Sequence, residues 1–144
     1  MSAVMNPIDD DEFLLRRIPV KQKWFDPAVS LQPAAEAFGP HREHDANGLS
    51  LSRLQSHAHP EFLTIEQVAQ RGPSKDGYYV AVLRVRDLRA HGIQISPDPI
   101  DGDPGHVLLP DLNSIDRKTD NVTSWKQILA NRLTLRVDGP FVPS

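Results

Sequence analysis

The chain has 144 residues, 39% of them hydrophobic, and a formal charge of −3 from 16 Lys and Arg against 19 Asp and Glu. That length fits one domain around one core, and the absence of a basic excess argues against nucleic acid as a partner. No cysteine is present, which excludes disulfides, thiolate catalysis, cysteine zinc sites and cysteine-ligated iron–sulfur clusters.

The 13 prolines are nearly double the usual share of ~5%, so much of the chain is expected in turns and irregular connections. The opening MSAVMNPIDDDEFLL has neither a basic n-region nor a long apolar h-region, unlike a secretory signal. The longest apolar run, Tyr78–Leu83, is far shorter than the ~20 residues that cross a bilayer. A soluble, cytoplasmic protein with no membrane contact is the expectation.

Residues 1–11 read as a flexible acidic lead ending in Asp9, Asp10 and Asp11, and residues 12–144 as a single folded domain. Phe13–Ile18 predicts a short strand, stopped by Pro19. Pro27, Pro33, Gly39 and Pro40 make Trp24–His44 an irregular wrap with one helical turn at Ala34–Ala37, anchored by Trp24, Phe25, Leu31 and Phe38. After Gly48, Leu49 and Leu51 alternate with Ser50 and Ser52, which predicts a half-buried strand over Leu49–Leu54. Thr64-Ile-Glu-Gln67 fits a capping box with Leu63 and Val68 placed as its hydrophobic staple. A short helix over Ile65–Arg71, ended by Gly72, follows.

Tyr78–Arg86 predicts the central strand, with Tyr79, Ala81, Leu83 and Val85 on one face. The other face starts apolar at Tyr78, Val80 and Val82 and turns basic at Arg84 and Arg86. Asp87 is expected to cap one helical turn, Leu88–His91, before a short strand at Ile93–Ile95. Pro97–His106 is rich in turn formers and reads as a loop, and Val107–Leu109 resumes an extended path. Ser124-Trp-Lys-Gln127 offers a second capping box, for a helix reaching about Arg132. Leu133, Leu135 and Val137 then alternate with Thr134 and Arg136 as a last strand, closed by Gly139 and Pro140. Five or six short strands and two or three short helices, joined by long Pro-rich loops, predict an α+β domain on one small mixed, largely antiparallel sheet.

Four groups of side chains could carry chemistry. His41, His44, His57 and His59 are close in sequence, and a metal would need three or four imidazoles converging on one point. No HExxH spacing is present. Asp98, Asp101 and Asp103 could offer oxygen ligands, but they lack the spacing of a calcium loop and fit turn chemistry beside Gly and Pro. Arg84, Arg86 and Arg89 could hold a phosphate or carboxylate, or pair with Asp87 as solvated charges. Ser50, Ser52 and His106 could serve a nucleophilic site, although no GxSxG elbow accompanies them.

Two resemblances add to this reading. Arg16 or Arg17 on an early strand, with Leu49-Ser-Leu-Ser52 on a later one, is similar in layout to ADP-ribosyltransferase-like domains. Those domains generally use a late catalytic glutamate, whereas the last glutamate here is Glu66. The succession LLRRIP, GLSLSR, YYVAVLRVRDLRAHGI, PDP and PGHVLLPDL resembles a small uncharacterised bacterial protein family. That second resemblance implies a bacterial cytosolic origin and no activity.

No cofactor fingerprint is recognised, so none is expected. The sequence therefore points to a non-enzymatic accessory module that binds another protein, through a surface containing Arg84, Arg86, Arg89 and the His106 loop. The competing reading is an ADP-ribosyltransferase-like or metal-dependent enzyme using Arg16 or Arg17, Ser50, Ser52 and His106.

Overall fold

Alternating apolar residues define the framework in a computed structural model that describes residues 7–40, 45, 47–113 and 120–143. The strands are β1 (Phe13–Pro19), β2 (Leu49–Arg53), β3 (Tyr78–Arg84), β4 (Ser96–Pro97), β5 (His106–Leu109) and β6 (Arg136–Phe141). They form one sheet in the order β4-β5-β2-β1-β3-β6, with every neighbouring pair antiparallel. Three helices accompany it: α1 (Ile65–Gln70), α2 (Val85–Ala90) and α3 (Asp120–Ile128), the last running into a π-helical turn at Leu129–Leu133. Short 3₁₀ turns occupy Ala35–Phe38 and Pro110–Leu112. This is the α+β fold expected, with no parallel pairing between its strands.

The strand period of two divides the sheet into two buried faces. Leu14, Ile18, Leu49, Leu51, Ala81, Leu83 and Leu109 face the larger core, where Phe38, Leu88, Leu112, Leu129 and Leu133 cover them. Leu15, Tyr78, Val80 and Val82 face the smaller core under Val68 and Ala69 of α1. A sheet covered on both sides explains why β1 and β3 are apolar at almost every position.

The first capping box forms as expected. Gln67 N donates to Thr64 Oγ1 at 3.2 Å and Thr64 N donates to Gln67 Oε1 at 2.9 Å. Before β3, Gly77 has φ +86, and a Cβ there would collide with the Phe141 carbonyl of the neighbouring strand. Only glycine fits that turn.

Four local expectations are corrected. The central strand ends at Arg84, because the Val85 and Arg86 amides are taken by the carbonyls of Glu12 and Asp10 and a helix starts there. Ile93 is not in a strand; its amide bonds the Leu88 carbonyl and closes α2, so the pairing strand falls at Ser96–Pro97. Ser124 lies inside α3 and caps nothing, since that helix begins at Asp120. Leu133 completes the π-helical turn, and the last strand starts at Arg136 and continues through a cis Gly139–Pro140 bond.

Both sheet edges are interrupted. β4 is a two-residue strand ending in Pro97, and β6 contains Pro140 and a register shift against Tyr78 and Val80. A proline offers no N–H, so neither edge presents a continuous ladder to another strand. Among the described residues, no helix is long and apolar enough to cross a membrane.

Candidate functional site

The arginines of the expected binding surface come together, but on an internal partner. Arg84 ends β3, and Arg86 and Arg89 stand on α2. Arg84 Nη2 and Arg86 Nη2 reach Asp11 Oδ1 at 3.0 and 2.7 Å, and Arg89 Nη1 reaches Asp10 Oδ1 at 2.6 Å. The acidic turn before β1, not Asp87, is therefore their counter-charge. Such solvated pairs contribute ~0–1 kcal/mol each. His106 does not join them: it lies on β5, three strands from β3, roughly 14 Å at ~4.8 Å per strand. Its Nδ1 is held by Asp98, 3.0 Å from the carbonyl oxygen and 3.1 Å from Oδ2.

Adjacent positions on a strand cannot serve one site, and Arg16 and Arg17 accordingly point to opposite faces of β1. Arg16 lies under the Ala35–Phe38 turn, with Nε donating to the Ala37 carbonyl at 3.2 Å and Nη1 to the Ser50 carbonyl at 3.1 Å. Burial pushes its pKa down, while the Asp45 carboxylate pulls it up. Arg17 packs over the Tyr78 ring at 5.2 Å and donates to the Val68 carbonyl at 3.4 Å. Burial lowers its pKa too, with Tyr78 and Asp103 opposing and Arg71 reinforcing that shift.

The two serines share the Arg17 face, yet their hydroxyls are committed elsewhere. Ser50 Oγ donates to Asp45 Oδ1 at 3.1 Å and Ser52 Oγ to Asp103 Oδ2 at 2.5 Å. Ser52 and His106 are cross-strand partners, but the Ser52 proton goes to a carboxylate and not to the imidazole. Asp103 is only 2% exposed, and its Oδ1 has no hydrogen-bond partner among the described residues. The structure thus gathers Arg17, Ser52 and His106 on one face and removes Arg16 to the other.

Of the candidate metal ligands, His41 and His44 lie outside the described residues, and His57 is exposed. His59 is half-buried beside Asp9 and Glu12, with one ligand-type atom from each within 4.8 Å of the others. Arg53 occupies Glu12 instead: Nε to Oε1 and Nη2 to Oε2, both at 2.6 Å, with the side chains 5% and 7% exposed. Burial alone would raise the Glu12 pKa, but the Arg53 guanidinium and the Asp9 amide hold it below the usual carboxyl value. A carboxylate with both oxygens engaged by a buried guanidinium is poorly placed to coordinate a cation. Of the loop aspartates, Asp98 and Asp103 hold His106 and Ser52, and Asp101 is exposed.

The feature that sequence reasoning missed is a groove of ≈ 360 Å³ between β6 and the wrap. Its apolar lining includes Phe25, Leu31, Tyr79, Leu135 and Pro140; the Arg136 side chain, opposite Val82, faces the α1 side of the sheet instead. The Phe25 and Tyr79 rings meet edge to face with centroids 4.8 Å apart. Leu31 is 79% exposed and Leu135 49%, with Val29 at 82% nearby in the wrap. Leu31 was expected to anchor the wrap; it stands out of the core instead, because Phe25 and Phe38 fill that space. The alternation Leu133, Leu135, Val137, read as one face of a last strand, was the available signal, and Leu135 on that face is exposed while Leu133 is buried. A second hollow of ≈ 520 Å³ lies at the end of α1, beside Gly72, Lys75 and Phe141. Neither hollow is lined by Arg16, Arg17, Ser50, Ser52 or His106. Comparison with protein-family models, with curated proteins and with solved structures finds no match.

Proposed function

We propose that the protein is a non-enzymatic accessory module that binds another protein, and that contact is made at the rim of the groove between β6 and residues 25–32. The observation that carries this reading is the exposure of Leu31 and Leu135 in the lining of one groove, on a small domain whose other large apolar side chains are mostly buried. Leaving a leucine or valine in water forgoes about 1.5–3 kcal/mol of burial per side chain, and grouped exposure of this kind marks interaction sites. The groove also has an aromatic floor, the residue class that dominates binding energy at interfaces. It rests on β3 and β6, a rigid support for an irregular loop.

Arg84, Arg86 and Arg89 are paired with Asp10 and Asp11, and Arg86 supplies the comparison position on that surface. A photo-crosslinking residue placed singly at Leu31, Leu135 or Arg86 in the native host tests the proposal. One protein species attached from Leu31 and Leu135, absent from Arg86 and lost on Leu135→Asp in the Leu31 probe, is the expected result. No adduct at the groove, or the same adducts from all three positions, would overturn it.

A further inference from the structure

We propose that the junction between the end of α1 and the turn at residues 101–103 binds a free phosphate ion, held by Arg17 and Arg71 and selected through Asp103. This site is independent of the groove and of any protein partner. One carbonyl brings the two arginines together: Val68 O accepts from Arg17 Nη1 at 3.4 Å and from the Arg71 amide at 3.3 Å. The exposed Arg71 side chain then crosses to the turn, where Nη2 lies 3.4 Å from the Asp101 carbonyl oxygen. Its Nη1 rests so close to Gly102 that a Cβ there would meet it at 2.5 Å. Arg53, Arg84, Arg86, Arg89 and Arg136 each have a carboxylate within ion-pair distance, but Arg17 and Arg71 have none among the described residues. Two guanidiniums brought to one carbonyl, with only long neutral contacts, are matched by an anion with several acceptor oxygens.

The choice of anion follows from Asp103. Its Oδ2 takes the Ser52 proton at 2.5 Å, while Oδ1 is buried and without a hydrogen-bond partner among the described residues. Its charge acts on Arg17, as does that of Arg71, so the three form one cluster. A buried acceptor left unpaired calls for a donor, and a carboxylate repels an anion that has none to offer. Hydrogen phosphate keeps one P–O–H at neutral pH. That proton goes to Asp103 Oδ1, and the charged oxygens take the guanidinium N–H groups. Sulfate has the same shape and no proton to give. The Arg71 side chain, lying on bare Gly102 backbone, is the wall that moves to admit the ion.

Calorimetric titration of the intact chain with inorganic phosphate and with sulfate, at neutral pH and matched ionic strength, provides the test. The wild type is expected to bind phosphate saturably, and sulfate at least about tenfold more weakly. Arg71→Gln, a change at an exposed side chain, should weaken phosphate binding about tenfold, and Arg86→Gln on the far surface should leave it unchanged. Asp103→Asn replaces an acceptor with an amide that also donates, and should abolish the preference for phosphate over sulfate. Thermal unfolding shows whether that buried variant is folded; if it is not, the phosphate-to-sulfate ratio of the wild type decides. No saturable phosphate binding, equal affinity for the two ions, or phosphate binding unaffected by Arg71→Gln would overturn the proposal.

Discussion

Replacing Glu12 with Gln keeps the side-chain shape and removes the negative charge from a deeply buried ion pair, its side chains 7% and 5% exposed. Arg53 then keeps the Pro7 carbonyl at 3.1 Å and the Phe62 ring at 4.5 Å but loses the two-pronged ion pair with the Glu12 carboxylate. Its side chain is 5% exposed, so solvent cannot compensate. Breaking one side of such a pair costs about 3–5 kcal/mol, a large part of the ~5–15 kcal/mol that holds a domain folded. At roughly 3 °C per kcal/mol for this size, the midpoint of thermal unfolding should fall by about 10–15 °C. Urea unfolding followed by the fluorescence of Trp24 and Trp125 measures the change. The double variant Glu12→Leu, Arg53→Met should recover most of it, since apolar replacement of a buried pair is often neutral. Acid gives a second readout. The folded Glu12 has a depressed pKa, so its stabilisation is complete above the usual value near 4.5 and is lost as the pH falls through the lower folded value. The wild type should show that loss and Glu12→Gln should lack it. A cost below ~1 kcal/mol, or parallel acid profiles for the two proteins, would refute the reasoning.

Ser52→Ala removes the hydroxyl that donates to Oδ2 of the buried Asp103, and should cost about 1–3 kcal/mol in urea unfolding; Ser50→Ala, at a less buried site, should cost less. Gly77→Ala forces a Cβ against the Phe141 carbonyl at positive φ and should destabilise by about 1–3 kcal/mol or more in the same assay. Leu31→Asp changes an exposed side chain and should leave the stability within the ~0.5 kcal/mol typical of surface positions, while the groove probe at Leu135 loses its signal. Zinc or nickel should not raise the midpoint of the wild type, because Arg53 already fills the coordination positions of Glu12; a rise that Glu12→Gln abolishes would contradict this.

Local patterns were readable where one physical cause acted alone. The Thr64–Gln67 reciprocal cap needs only its own four residues, and the Leu–Ser alternation of β2 needs only a sheet with a dry side. Reading failed where two periods overlap or where a distant group decides. Leu129 and Leu133 are four apart and suit a helix face as well as Leu133, Leu135 and Val137 suit a strand, and the core took Leu133 into the helical turn. The start of α2 depends on carbonyls of Asp10 and Glu12, more than seventy positions earlier in the chain, which no window around Val85 contains. The same holds for the candidate site. Each charged residue could be seen, but the pairing of Arg53 with Glu12, or of Ser52 with Asp103, is set by strand register. Tertiary packing alone decides that Leu31 stays in water while Phe38 is covered.

Strand order has a consequence for how the chain matures. The middle ribbon, Phe13–Pro19, is made early, whereas its two flanking partners lie beyond Gly48 and Gly77. Loops of this span must close before any of the central pairing is gained. Pairing of β1 on both edges therefore waits for Arg84 to be synthesised, and the ribbon bearing Arg136 comes later in the chain. The groove at which we propose a partner binds is completed only once Pro140 has been synthesised, so a shorter nascent chain lacks it.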